Sequence, residues 1–305
     1  MSCVSAYTLS NGSPDRWHDR IAGGTAPCLH RVGQSERIPS PLLPRNTRFA
    51  ALVSGRERNH VRRCSADHAR PSWNCGRSEV KEGRALADWP ADVIGLADAL
   101  QIETFAVVGV SAGGPYAASC AALIPSRLSA VGIVSSGPLA KYNHAERPGA
   151  YEEWNTEQQA EFDLAQRDPP AAAQLAAAHF AKEADELDKH PELIHEALKA
   201  AEGDRWFFDD QARAATFDAY IRETFRQGLD AIRWELIDVF LPWGFRLADI
   251  PIHVHVWHGE QDPWVTQADI DFTASRISDC TVVVWPDSGH LGFVKHWDEI
   301  LKALT

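Results

Sequence analysis

The chain has 305 residues, six cysteines and a formal net charge of −12 at pH 7. A chain of this length can bury a substantial core, and we expect one domain that carries an insertion. The acidic balance argues against nucleic-acid binding, and since no C-x-x-C pair occurs, the cysteines indicate neither a zinc site nor a disulfide framework. No apolar run of about 18 residues occurs, so we expect no membrane span and a cytoplasmic protein.

The first 75 residues differ in composition from the rest of the chain. They hold eleven arginines and no lysine, together with many serines, prolines and cysteines, and they show no clear helix or strand periodicity. Residues 49–53 are the best strand candidate in this segment. Regular patterns return abruptly at about residue 76, so we treat residues 1–75 as an anomalous basic segment.

The first regular region predicts a helix, a strand, a sharp turn and a second helix. Asp88 is expected to be the N-cap of the first helix, with Pro90 in its first turn. The apolar run at 105–108 predicts a strand, and a helix-competent segment follows at 115–123. The sequence Gly-Val-Ser-Ala-Gly-Gly at 109–114 lies between them, which is the context that a G-x-S-x-G nucleophile turn requires.

Ser111 is the residue at the tip of this turn. Glycine at positions 109 and 113 is expected to remove collisions between neighbouring side chains and the crossing backbone. The helix that follows directs its N–H groups and positive dipole end towards the same point, which favours negative charge on a bound carbonyl oxygen. We therefore predict that Gly109 and Gly113 shape a turn that presents the Ser111 hydroxyl above a sheet.

After this turn, a continuous apolar run at 130–136 predicts a parallel strand that is buried on both faces. The next hundred residues have helical patterns and carry most of the acidic charge, which indicates the solvated face of a helical insertion. Helices are predicted at residues 151–167, 170–187, 191–201, 208–227 and 229–240.

Strand character returns in the last fifty residues. Strands are predicted at 252–257 and 280–285, and helices at 266–277 and 293–304. The alternation of strands and helices predicts an α/β fold with a mainly parallel, doubly wound sheet.

Two loops in this region carry candidate partners for Ser111. A serine hydroxyl needs a histidine base, and the histidine needs a carboxylate that fixes its tautomer. Asp262 follows one predicted strand and His290 follows the next, and both loops leave carboxyl ends of parallel strands, where Ser111 also lies. Glu260 and Asp287 are expected to lie on the loop surface.

The remaining histidines are weaker candidates for a functional role than His290. We expect His296 to be exposed inside the final helix. A metal site could be imagined at His253, His255 and His258, but no carboxylate or cysteine accompanies them at ligand spacing, so we expect no metal. His258 is expected to brace the loop that carries Asp262.

Three motifs, GVSAGGPY, HGEQDPWV and PDSGHLGF, make residues 76–305 resemble an α/β-hydrolase-fold serine hydrolase with a helical cap. They occur in that family's order and spacing. The resemblance implies Ser111 as nucleophile, Asp262 as orienting acid and His290 as base, with no cofactor. It also implies a core formed by residues 76–137 and 246–305 and a cap formed by residues 138–245.

The N-terminal segment departs from this family. The family's second oxyanion donor usually belongs to a His-Gly stretch after its third strand, and residues 1–78 contain no His-Gly pair. We hypothesise that residues from about 20 to 75 are an out-of-frame translation of a hydrolase N-terminus. The alternative is a genuine basic or disordered extension of a divergent hydrolase.

The function that the resemblance implies is hydrolysis of a small acyl compound, an ester, thioester or lactone. Ser111 would form an acyl-enzyme, and the Ala112 N–H would hold the oxyanion together with a second donor. A perhydrolase or a carbon–carbon bond hydrolase would use a similar triad. A non-catalytic or defective protein of the same fold, which lacks a complete oxyanion hole, is the alternative from another class.

Overall fold

A computed structural model describes residues 2–7, 48–53, 67–69, 84–143, 145–189, 195, 201–225 and 237–305. From residue 84 on, strands and helices alternate along the chain on both sides of a long helical stretch. No helix in this described part is long and apolar enough to cross a membrane.

One sheet contains every strand of the described residues, in the order β3-β1-β2-β4-β5-β6-β7. Strands β4 to β7 run parallel to one another, whereas β2 runs antiparallel to β4, and β3 runs antiparallel to β1. The strands are β1 (Ser2–Tyr7), β2 (Arg48–Val53), β3 (Asp67–Ala69), β4 (Phe105–Ser111), β5 (Leu128–Val134), β6 (Val254–Gly259) and β7 (Cys280–Trp285).

The helices fall into two groups. Those of the core are α1 (Trp89–Ala99), α2 (Gly114–Leu123), α9 (Gln267–Arg276), α10 (Gly292–Lys295) and α11 (Trp297–Leu304). Those between β5 and β6, which we call the helical insertion, are α3 (Pro138–Lys141), α4 (Ala150–Glu153), α5 (Thr156–Arg167), α6 (Pro169–Lys189), α7 (Arg205–Phe208) and α8 (Gln211–Phe225).

Strand β4 shows why the sheet needs cover on both faces. Phe105 and Val107 belong to an apolar cluster with buried residues of α1, α2 and α9. Ala106, Val108 and Val110 belong to a second cluster, which contains residues of α7, α8, α10 and α11. Because successive side chains of a strand point to opposite faces, this run of apolar residues fills two cores at once.

The α/β fold class and the mainly parallel, doubly wound sheet are confirmed. The predicted strands at 49–53 and 280–285 and the predicted helices at 170–187 and 266–277 match β2, β7, α6 and α9. Residues 1–75 contribute three strands to the sheet, although their sequence shows little periodicity. The predicted helices at 191–201 and 229–240 lie mostly outside the described residues. The predicted domain boundaries, at residues 75, 137 and 245, stay predictions.

Three predicted helices are each divided into two shorter ones. The helix at 151–167 is divided into α4 and α5 because the Asn155 side chain accepts a hydrogen bond from the Gln158 N–H and caps a new helix start. The helix at 208–227 is likewise two, α7 and α8. The final helix is interrupted at His296, which is half-buried and stacks on Trp285 instead of being exposed.

Asp88 holds the N-cap position of α1 and Pro90 lies in its first turn, as predicted, but the Asp88 side chain has another role. The Asp88 carboxylate accepts a hydrogen bond from the Ala85 N–H, 2.9 Å away, and so closes the preceding 3-10 turn. It makes no side-chain cap to α1. The local pattern was correct, but the carboxylate has a competing partner upstream of the helix.

Candidate active site

The turn between β4 and α2 carries Ser111 at its tip. Ser111 is the last residue of β4 and has a φ of 53°, which is rare for a residue with a side chain. The Gly113 N–H donates a hydrogen bond of 2.8 Å to the Val110 carbonyl, and α2 begins at Gly114. A strained, half-exposed serine between a strand and a helix is the geometry of a nucleophile elbow.

The first glycine of the elbow has a steric purpose. A Cβ atom at position 109 would lie 2.6 Å from the Gly113 carbonyl carbon and 2.9 Å from the Ala117 Cβ. Gly109 therefore allows β4 and the start of α2 to approach each other. Gly113 has a φ of −75°, a conformation that any residue adopts, so its backbone does not require glycine.

His290 and Asp262 are brought together by the loops after β7 and β6. The Nδ1 atom of His290 lies 2.7 Å from Oδ2 of Asp262, and the exposed fractions of the two side chains are 4% and 0%. With Nδ1–H donating to the carboxylate, Nε2 is the ring atom that can accept a proton.

The Asp262 carboxylate is held in its charged form. Burial by itself would raise the pKa of Asp262, but the charge and hydrogen bond of His290 and the N–H groups of Trp264 and Val265 lower it below its ordinary value. These two N–H groups lie 2.9 Å and 3.1 Å from Oδ1. One carboxylate oxygen thus anchors the loop while the other faces the histidine.

The two loops are also joined through their backbones. The Gln261 N–H donates to the Ser288 carbonyl at 3.0 Å, and the Glu260 N–H donates to the Trp285 carbonyl at 2.9 Å. The Trp264 ring meets the His290 ring edge-on, with centroids 4.9 Å apart. The position of the imidazole is therefore fixed by a hydrogen bond to Asp262, an aromatic contact and the backbone.

Ser111 lies at the same edge of the sheet as this pair. Strands β4, β5, β6 and β7 are neighbours in that order and run parallel, so the carboxyl ends of β4, β6 and β7 face one way. Ala112, the predicted oxyanion donor, is half-buried beside Ser111. That Ser111, Asp262 and His290 act together as a catalytic triad remains a prediction.

The histidines in β6 and directly before it form no metal site in the described part of the chain, where no group of three potential ligands is suitably placed. His253 pairs with Asp279 at 2.7 Å, and His255 stacks on Trp257. His258 is buried, and burial lowers its pKa, so it favours the neutral imidazole.

A sequence model of the alpha/beta hydrolase family matches residues 41–303, which is most of the chain. The chain belongs to the alpha/beta hydrolase family. The matched range begins upstream of residue 76 and so includes part of the basic N-terminal segment. Comparison with curated proteins finds no match.

Solved structures of other alpha/beta hydrolases resemble this member of the family only distantly. Est816, an N-acyl homoserine lactone degrading enzyme, is 23% identical over 76% of this chain and 80% of its own, with a TM-score of 0.46. The enol-lactonase of Burkholderia xenovorans is 17% identical over 76% of this chain and 75% of its own, with a TM-score of 0.45. A 2-hydroxy-6-oxo-6-phenylhexa-2,4-dienoate hydrolase of Rhodococcus is 20% identical over 75% and 74%, with a TM-score of 0.41.

Asp204 is the residue of this alpha/beta hydrolase site that the sequence analysis missed. It lies in the helical insertion, is fully buried, and its Oδ1 accepts a hydrogen bond of 3.0 Å from the Leu291 N–H, next to His290. The prediction that the acidic charge of the insertion lies on a solvated face is wrong for this residue. The only local signal is the small Gly203 before it, which allows a close backbone approach.

Proposed function

We propose that the chain is a serine hydrolase that cleaves small carboxylic esters, thioesters or lactones through Ser111, His290 and Asp262. The observation that carries the proposal is the buried hydrogen bond between His290 Nδ1 and Asp262 Oδ2, at the edge of the sheet where Ser111 ends β4. Such a pair leaves Nε2 unprotonated, which is the state that a general base requires.

The proposed reaction begins at the serine hydroxyl. Ser111 Oγ attacks the acyl carbon while its proton passes to His290 Nε2, and the Ala112 N–H stabilises the negative charge that forms on the carbonyl oxygen. His290 then gives this proton to the leaving alkoxide or thiolate, which is released as an alcohol or thiol. The carbonyl double bond re-forms as the bond to the leaving group breaks, which leaves an ester between Ser111 and the acyl group.

Water completes the cycle. His290 takes a proton from water, the hydroxide attacks the acyl-enzyme, and the proton returns to Ser111 Oγ as the carboxylic acid leaves. Asp262 remains ionised throughout and stabilises the imidazolium. Serine, histidine and water supply every group that forms or breaks a bond, so the proposed reaction uses no cofactor. The proposal includes a small acyl molecule as the partner and the cytoplasm as the location.

The test is labelling of the full chain with a fluorophosphonate, followed by intact-mass and peptide analysis. This reagent phosphonylates a serine that an adjacent base activates. We expect one label per chain at Ser111, no label in Ser111→Ala, and strongly reduced labelling in His290→Ala. Ser119 is a suitable control because it is buried in α2 and its hydroxyl donates to the Tyr116 carbonyl.

Ser119→Ala should label like the unmodified protein. A folded chain that does not label would contradict the proposal and favour the non-catalytic alternative. Labelling at a residue other than Ser111 would contradict the assignment of the nucleophile.

A further inference from the structure

A 3-10 turn of the helical insertion, Glu202–Asp204, packs directly against the loop that carries His290. The Asp204 carboxylate accepts a hydrogen bond of 3.0 Å from the backbone N–H group of Leu291, the residue directly after His290. The backbone next to the base is therefore tied to a side chain that lies 87 positions earlier in the chain. The insertion, and not only the core, fixes this loop.

The contact leaves little free space. A Cβ atom at position 203 would lie 2.6 Å from the Gly289 nitrogen and 2.6 Å from the Ser288 carbonyl carbon. A Cβ atom at position 289 would lie 2.6 Å from the Asp204 Cγ. Glycine on each side thus permits the approach, and a larger residue at either position would push the insertion and the loop apart.

The carboxylate is unusual because it is fully buried and its Oδ2 atom has no hydrogen-bond partner among the described residues. Burial is the largest influence on the pKa of Asp204, which lies at about 6 instead of its ordinary 3.8. The charge of His290 opposes this rise, and the charge of Asp262 adds to it. A buried carboxylate with an unpartnered oxygen costs folding free energy that an apolar residue would avoid. Packing alone does not account for its presence beside a histidine base.

We propose that Asp204 is a positioning residue for His290. Its carboxylate anchors the backbone directly after the base from the helical insertion, and so keeps the imidazole aligned with Asp262 and Ser111. This inference rests on the proposed function. It implies that full activity requires the helical insertion to pack against the loop that carries His290. Displacement of the turn would misplace the base without removing it.

The experiment compares Asp204→Ala, Asp204→Asn and Glu202→Gln in the full chain with p-nitrophenyl butyrate as substrate. Glu202 is the matched control, because it lies on the same turn but is exposed. We expect Asp204→Ala to lower kcat by about 10- to 100-fold with KM changed less than about threefold, as misplacement of a catalytic group does. Asparagine keeps an acceptor for the Leu291 N–H, so Asp204→Asn should retain kcat within about fivefold.

Hydrogen exchange of the Leu291 amide is a second readout that does not depend on activity. It should be faster in Asp204→Ala than in the unmodified protein and nearly unchanged in Asp204→Asn. Wild-type kcat in Asp204→Ala, or an equal loss in Asp204→Asn and Asp204→Ala, would overturn the inference. So would equal Leu291 exchange in all three proteins.

The two proposals fail in different ways. A wild-type chain that neither labels at Ser111 nor hydrolyses the ester contradicts the proposed function, and Leu291 exchange then tests the anchor by itself. If Asp204→Ala does not fold, Gly203→Ala replaces it. Its Cβ displaces the turn while the carboxylate stays, so an unchanged kcat in this variant would overturn the inference.

Discussion

The hydroxyl of Tyr116 donates a hydrogen bond to the carboxylate of Asp238, 122 positions later in the chain. Both side chains are buried, with exposed fractions of 4% and 8%. Tyr116 belongs to α2, the helix that follows Ser111, and Asp238 belongs to the segment that leads from the helical insertion back to the core. Together with the contact of Asp204 at His290, this bond attaches the insertion to the core at two points close to the elbow and the base.

Tyr116→Phe tests this attachment, because it removes only the hydroxyl and keeps the edge-on ring contact with Trp89, whose centroid lies 5.5 Å away. A buried hydrogen bond to a charged acceptor contributes about 1.5–3 kcal/mol, so the free energy of unfolding in urea should fall by about that amount. Tyr151→Phe is the control, since the Tyr151 hydroxyl meets Asp163 at the surface, and it should have a smaller effect. Equal losses in the two variants would show that burial adds nothing to the bond.

Asp262→Asn should reduce kcat by about 10³- to 10⁴-fold, because the amide leaves the histidine in the wrong tautomer without a charge to stabilise its cation. The measurement is steady-state hydrolysis of p-nitrophenyl butyrate. Asp287→Asn is the matched control, because Asp287 lies in the neighbouring loop but is exposed and pairs with Lys295. Near-normal kcat in Asp262→Asn would remove the carboxylate from the mechanism.

Gly109→Ala should destabilise the elbow, since the added methyl group collides with the Gly113 carbonyl. We expect the free energy of unfolding to fall by about 1–3 kcal/mol, as overpacking of a closed site does, and fluorophosphonate labelling to decrease. Gly95→Ala is the control, because a Cβ at this exposed position of α1 meets nothing within 4 Å. It should raise stability by about 0.4–1 kcal/mol. A Gly109→Ala protein as stable as Gly95→Ala would contradict the steric argument.

Asp204→Asn should change how stability depends on pH. In the folded protein burial raises the pKa of Asp204 to about 6 from an ordinary value of 3.8. The folded state therefore holds the proton more tightly, and this carboxyl group lowers the free energy of unfolding as pH rises from about 4 to about 6. Relative to the unmodified protein, the free energy of unfolding of Asp204→Asn should therefore rise by up to about 3 kcal/mol over that pH range.

Urea unfolding at several pH values between 4 and 7 measures this difference, and Glu202→Gln controls for loss of a charge on the same turn. A constant offset between Asp204→Asn and the unmodified protein at every pH would show that burial does not raise the pKa of Asp204. A gain in the free energy of unfolding of Asp204→Asn that appears only as pH falls would contradict a raised pKa of Asp204.

The sequence by itself determined the local parts of the site. The apolar run before Ser111 and the small residues after it specify strand, turn and helix within a few positions, and Gly109 is needed for the close approach that the structure shows. The loops of Asp262 and His290 follow strands whose apolar patterns are equally local. Since parallel strands present their carboxyl ends at one edge, the meeting of Asp262 with His290 could be expected from strand order alone.

Only the tertiary structure decided which polar groups of the insertion are buried. Asp204 and Asp238 lie in a segment where most of the described carboxylates are at least partly exposed, and nothing in the spacing of charges distinguishes them. The burial of Asp204 depends on the backbone approach of Gly203 to Gly289, and Asp238 is buried where it meets Tyr116. Helical periodicity reports which face of a helix is apolar, but it does not report what that face or its neighbouring turns will meet. The contact between Asp204 and the backbone beside His290 therefore appears only when the chain is folded.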